Sequence, residues 1–187
     1  MTRLKLPLSL TCLIAFVLVS LAFARVQPPS GQGGHHAVTG IGTVAKASLQ
    51  GVDPKFVGTA SFTQLAGGVH VVADFSGAAA GKHALQVREK GLCSAPFASA
   101  GDLLNTYHLA HGCPPDQIRE LGNLGNVEIK ADGTGHFDQV IDKISVVDPH
   151  HLIVGRSIVL LAGEDNCKTE PAGSSARPVA CGVINKS

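Results

Sequence analysis

Nine histidines and five cysteines are the residues of this 187-residue chain best able to do chemistry. Histidine at close spacing points to metal coordination, and cysteine to metal binding or disulfides. His108 and His111 stand three apart, a spacing that two ligands on a turn could share, and Glu120 could complete a partial site with them. His35-His36 lies in a stretch rich in Gly and Pro, where weak metal binding is one reading, and His150-His151 follows a turn proline. His70 and His136 fall within alternating runs and read as ordinary face residues. Most of these histidines read as surface residues, with a leader site or an ordered new site as the other openings. No G-x-S-x-G, no framed pair of carboxylates and no phosphate-cradling glycine loop is present, so hydrolase and nucleotide chemistries find no anchor.

The elements that would position such residues are strands. Short alternating apolar runs recur at Thr43–Gln50, Phe56–Gln64, Val69–Phe75, His83–Glu89, Val127–Lys130, Gly135–Ile141, Ser157–Leu161 and Val179–Ile184. Turn signals separate them at Val52-Asp53-Pro54, Ala66-Gly67-Gly68, Asp132-Gly133 and Asp148-Pro149. About eight strands at this spacing predict an antiparallel sandwich or barrel. One long irregular stretch, Cys93 to Asn126, exceeds what a connector needs, and loops of that size are functional or stapled.

The first residues read as an export signal: Arg3 and Lys5, an apolar run from Leu6 to Leu21, then Ala22-Phe23-Ala24 as a small-residue cleavage site. A membrane anchor is the competing reading, since the run is near the lower spanning limit of about 17 residues. With cleavage, the expected organisation is a signal over 1–24, a flexible Gly/Pro/His leader over 25–42 and one domain over 43–187. The product is exported, periplasmic or extracellular, with no membrane attachment after cleavage. Cys12 leaves with the signal, and the four remaining cysteines of an exported chain read as disulfides, for which three pairings exist. A formal charge of +1, with no Lys/Arg run, gives nucleic acid nothing to bind. The partner is left open, with a homodimer among the options.

Several ordered motifs carry a resemblance. Gly81-Lys82-His83-Ala84-Leu85-Gln86-Val87-Arg88-Glu89-Lys90-Gly91 resembles the G-x-H-G-F-H-V-H-E-x-G strand of Cu/Zn superoxide dismutases, in particular the exported bacterial type. Cys93-Ser94-Ala95-Pro96-Phe97-Ala98-Ser99-Ala100-Gly101, Leu121-Gly122-Asn123-Leu124-Gly125-Asn126, Ile153-Val154-Gly155-Arg156-Ser157-Ile158-Val159 and Ala180-Cys181-Gly182-Val183-Ile184 are similar to later family motifs. Together they span Thr43 to Asn185. The resemblance implies an eight-stranded Greek-key barrel with two long loops folded over one outer face.

It also implies where the family's metals would sit. Gln86, Arg88, Leu103 and Leu161 align with the copper histidines. Leu103, His111, Glu120 and Asn123 align with the zinc ligands, and Asp165 with a residue that links the two metal sites through hydrogen bonds. Arginine has no lone pair to donate, and a single histidine with a carboxylate falls short of a closed zinc site. No catalytic residue and no metal cofactor are therefore expected, in a family whose members carry copper and zinc. The family's guiding arginine aligns with Pro178, one residue after Arg177. By the same resemblance Cys93 pairs with Cys181, which leaves Cys113 for Cys167, with two free thiols as the alternative. Arg88 and Gln86 share a strand face, and Asp102, Glu120 and Glu164 are the carboxylates expected to neutralise Arg88 unless it reaches solvent. The functional expectation is a non-catalytic domain with a binding, structural or regulatory role. The alternative is a dismutase or copper-handling protein that uses a non-family site.

Overall fold

Alternation of buried and exposed residues sets the strands. Along β1 (Val44–Gly51), Ala45, Ala47 and Leu49 are buried while Lys46, Ser48 and Gln50 face out. The computed structural model describes residues 40–173 and 177–187. The signal segment expected over 1–24 and the leader up to residue 39 lie outside the described residues.

Eight further strands follow: β2 (Phe56–Leu65), β3 (Gly68–Phe75), β4 (Gly81–Arg88), β5 (Asn123–Ile129), β6 (Gly135–Ile141), β7 (Ser157–Leu161), β8 (Pro178–Val183) and the two-residue β9 (Asn185–Lys186). They pair antiparallel in the order β2-β3-β6-β5-β4-β7-β8-β1, and β1 also pairs with β2, which closes the sheet into an eight-stranded barrel with β9 as an added strand on β1. Closure leaves the main sheet no free edge. Leu49, Phe62, Leu85, Val87, Leu124, Ile129, Ile158 and Leu160 fill the interior.

Two strands break the half-buried pattern. Every residue of β7 is buried, and so are Ala84 and Gln86 on the outward side of β4. Loops cover that outer face: a second apolar cluster of Ala84, Phe97, Ala100, Val159, Leu161 and Cys181 packs there. Residues 89–122 make the first covering loop. It comes so close to β4 that a Cβ on Gly122 would lie 2.2 Å from the Val87 carbonyl oxygen.

β5 begins at Asn123, four residues ahead of the run expected from Val127. Asn123-Leu124-Gly125 reads as a turn in sequence, yet Asn123 pairs with Gln86 and Gly125 with Leu85, across a bulge that leaves Leu124 extra. Gly125, at φ 93°, supplies the left-handed conformation this requires.

Candidate functional site

Strand alternation puts Gln86 and Arg88 on the loop-covered face of β4. Leu161 stands beside them on β7, and Leu103 bridges to Arg88 from the first loop. Gln86 and Leu161 are fully buried and Leu103 nearly so. These are the four positions the resemblance assigns to copper. Both polar atoms of the Gln86 amide lack a hydrogen-bond partner, as does Arg88 Nε. An unpaired buried amide costs about 1–3 kcal/mol. Gln86→Leu is therefore expected to raise stability by about 1–2 kcal/mol, read from urea unfolding midpoints. A loss of stability would mean that the amide is hydrogen-bonded in solution.

The expectation that an acidic residue neutralises Arg88 is corrected. No carboxylate among the described residues comes within ion-pair distance of it. Glu120 faces His111, and Glu164 lies 3.8 Å from Lys82. Burial holds the Arg88 guanidinium below its ordinary range, and Asp102 opposes this only through its field. Arg88 instead lines a cavity of about 500 Å³ with Asp102, Leu103, His108 and Glu120.

His111 organises the second half of the site. Its Nδ1 lies 3.0 Å from Glu120 Oε1 and its Nε2 lies 2.8 Å from Asp165 Oδ1, with all three side chains buried. With a carboxylate at each ring nitrogen, the arrangement favours the imidazolium, in which both nitrogens donate. Burial opposes that charge, but the hydrogen bonds and fields of Asp165 and Glu120 outweigh it and raise the His111 pKa above its ordinary value. Asp165 in turn is saturated. Asn123 donates to its Oδ2 (2.8 Å), the Cys167 N–H donates to its Oδ1 (2.7 Å), and Asn126 holds its backbone at both ends. Gly173 closes over it at φ 76°, where a Cβ would lie 1.9 Å from Oδ1. His108, whose spacing could let it share a turn site with His111, lines the cavity instead.

One disulfide ties the first loop to β8, and the other ties the two covering loops to each other. Cys93 and Cys181 are joined with Cα atoms 5.6 Å apart, and Cys113 and Cys167 with Cα atoms 5.1 Å apart. Cys113, Cys167 and Asp165 have ligand atoms within 4.8 Å of one another. With the sulfurs bonded to each other, neither is a thiolate that could hold a metal.

Comparison with known proteins supplies the family context. The family model of copper/zinc superoxide dismutase matches residues 56–184. The extracellular superoxide dismutase [Cu-Zn] of Caenorhabditis elegans is 31% identical over 147 residues, 75% of this chain and 66% of the relative, so the chain spans slightly less than two thirds of that protein. The extracellular superoxide dismutase [Cu-Zn] of Brugia pahangi is 31% identical over 136 residues, 68% of each. Among solved structures, that of the clock protein EA4 superposes with a TM-score of 0.70 at 35% identity, covering 78% of this chain and 95% of that one. These nematode names carry no support for the finer bacterial-type resemblance. Names marked extracellular, with two disulfides, accord with export.

The comparisons also overturn the expectation of no cofactor. The matching family and the relatives are named for copper and zinc, so metal belongs in the account of this chain. Where it would be held is a separate matter. The residues at the family positions do not fit the metals: Leu103 and Leu161 offer no donor atom, Arg88 offers no lone pair, and Gln86 offers one hard oxygen. At the zinc positions both nitrogens of His111 are engaged with carboxylates, and the Asn123 oxygen accepts the Gly125 N–H at 2.9 Å.

Proposed function

The chain belongs to the copper/zinc superoxide dismutase family, and we propose that it is an exported member whose copper position no longer dismutates superoxide, a barrel retained for a binding or regulatory role. The observation that carries this reading is the content of the loop-covered face of β4 and β7: an orphaned amide, a guanidinium and two buried leucines. Dismutation needs a metal that accepts and returns one electron in fixed coordination. Imidazoles suit copper in that role, and none of these four side chains supplies one. Any metal the chain carries is held by other residues. The protein's station is the oxidising space outside the cytosol, extracellular in the reading that the names of the nematode relatives support.

The test is dismutation measured per bound copper. The full chain is incubated with copper and zinc, unbound metal is removed, and the rate is compared with free copper ion and with an active family relative. A rate no greater than that of the free ion is expected. A rate approaching that of the relative would overturn the proposal, and would favour dismutation at a non-family site.

A further inference from the structure

We propose that the outer face of β3 and β6 carries a site for a divalent late transition ion, Cu²⁺ or Zn²⁺, built from His70, His136 and Asp138 with Asp74 behind it. The register sets the residues together. Asp74 stands opposite His136, Val72 opposite Asp138 and His70 opposite Val140, so alternation turns both histidines and both aspartates to solvent on one patch. β5 lies between β6 and β4, so this patch is separate from the face that holds Gln86 and Arg88.

Its geometry exceeds two surface ion pairs. Asp138 sits between two imidazoles: Oδ1 is 2.7 Å from His70 Nε2, and Oδ2 is 3.9 Å from His136 Nε2. Asp74 Oδ1 lies 2.7 Å from His136 Nδ1 and accepts its N–H. That bond leaves Nε2 of His136 turned toward Asp138 Oδ2. A divalent ion held between those two atoms would take the place of a proton there. Two imidazoles and one carboxylate suit late transition ions, and a second carboxylate that bonds the outer ring nitrogen of a histidine ligand is the usual supporting contact.

Bonds of about 2.0–2.2 Å to such a metal bring ligand atoms to about 3 Å of one another. The His70–Asp138 pair already meets this. The three ligand atoms do not all lie within 4.8 Å of one another at rest, and binding requires rotation of the His136 and Asp138 side chains, which are 59% and 54% exposed and free to turn without disturbing the core. Cu²⁺ is expected to bind more tightly than Zn²⁺, following the general order for nitrogen and oxygen donors. The same two histidines read in sequence as ordinary face residues, because only the strand register brings them to one carboxylate.

The experiment titrates Cu²⁺ and Zn²⁺ into the full chain carrying His35→Ala and His36→Ala, against a competing chelator, with circular dichroism to confirm folding. One ion per chain is expected, and the electron paramagnetic resonance spectrum of the Cu²⁺ form should show two coordinating nitrogens. His70→Ala or His136→Ala should weaken binding below one ion per chain, and the residual Cu²⁺ complex should show one coordinating nitrogen fewer. Asp74→Asn should weaken it by about 10–100-fold. No binding in the parent, or binding that survives His70→Ala with His136→Ala, would overturn the proposal.

Discussion

Asp165→Asn is expected to destabilise the folded chain by about 3–5 kcal/mol, the range for breaking a buried charge pair from one side. The carboxylate accepts from His111 Nε2 (2.8 Å), Asn123 Nδ2 (2.8 Å) and the Cys167 N–H (2.7 Å). An asparagine can keep one oxygen toward two of these donors. Its amide nitrogen then faces the Asn123 amide nitrogen, donor against donor, and the His111 imidazolium loses a counter-charge. The variant should also lose much of the pH dependence of stability. The folded chain holds the His111 proton more tightly than the unfolded chain, since its pKa lies above the ordinary 6.5. The contribution is therefore fully present below about pH 6.5 and falls away as pH rises through the raised value. Urea unfolding on either side of that range should show the parent weakening toward high pH and Asp165→Asn changing much less. Equal pH slopes in the two proteins, or a cost under about 1 kcal/mol, would remove Asp165 from its central place.

Removing the inner bridge should cost nearly as much. Cys113→Ala with Cys167→Ala opens a loop of 54 residues, and the chain-entropy model assigns such a closure about 4 kcal/mol. The effect should exceed the entropic figure only if the His111 cluster loosens with it. The Cys167 N–H is bonded to Asp165, and Asn123, which holds Asp165, also donates to the carbonyl of Gly112 next to Cys113. Combining the cysteine pair with Asp165→Asn separates these contributions. A double loss smaller than the sum of the two would show that the staple and the ion cluster hold the same loops. A loss under about 1 kcal/mol for the cysteine pair alone would show that the loops keep their place without it.

The barrel was largely legible because each strand buries one face and period-two alternation records that burial directly. β6 (Gly135–Ile141) and β7 (Ser157–Leu161) coincide with the expected runs. β5 was cut short in sequence because Asn123 and Gly125 are turn-formers, and only the bulge opposite Leu85 and Gln86 reveals them as strand. β9, two residues long, has no pattern to recognise. The site was less legible, for a different reason. Residue type tells what Arg88 needs, but not which carboxylate is within reach. Glu120 was weighed both as a partner for Arg88 and as a metal ligand beside His111. In the fold it lies 3.0 Å from His111 Nδ1, and Arg88 is left beside a cavity. The expectation of no cofactor rests on the side chains at the copper and zinc positions alone, a local argument that cannot speak for the family to which the rest of the chain belongs.

The two bridges are nested, Cys113–Cys167 lying within the span closed by Cys93–Cys181. A protease that nicks the backbone anywhere between Cys113 and Cys167 leaves two fragments tied at both bridges. A nick between Cys93 and Cys113, or between Cys167 and Cys181, leaves them tied by the outer bridge. In a compartment where exported proteins meet proteases, cleavage of a loop over the His111 cluster is thus a local scar. The cut chain keeps its mass on a non-reducing gel, and fragments separate only once a reductant opens every bridge that spans the cut.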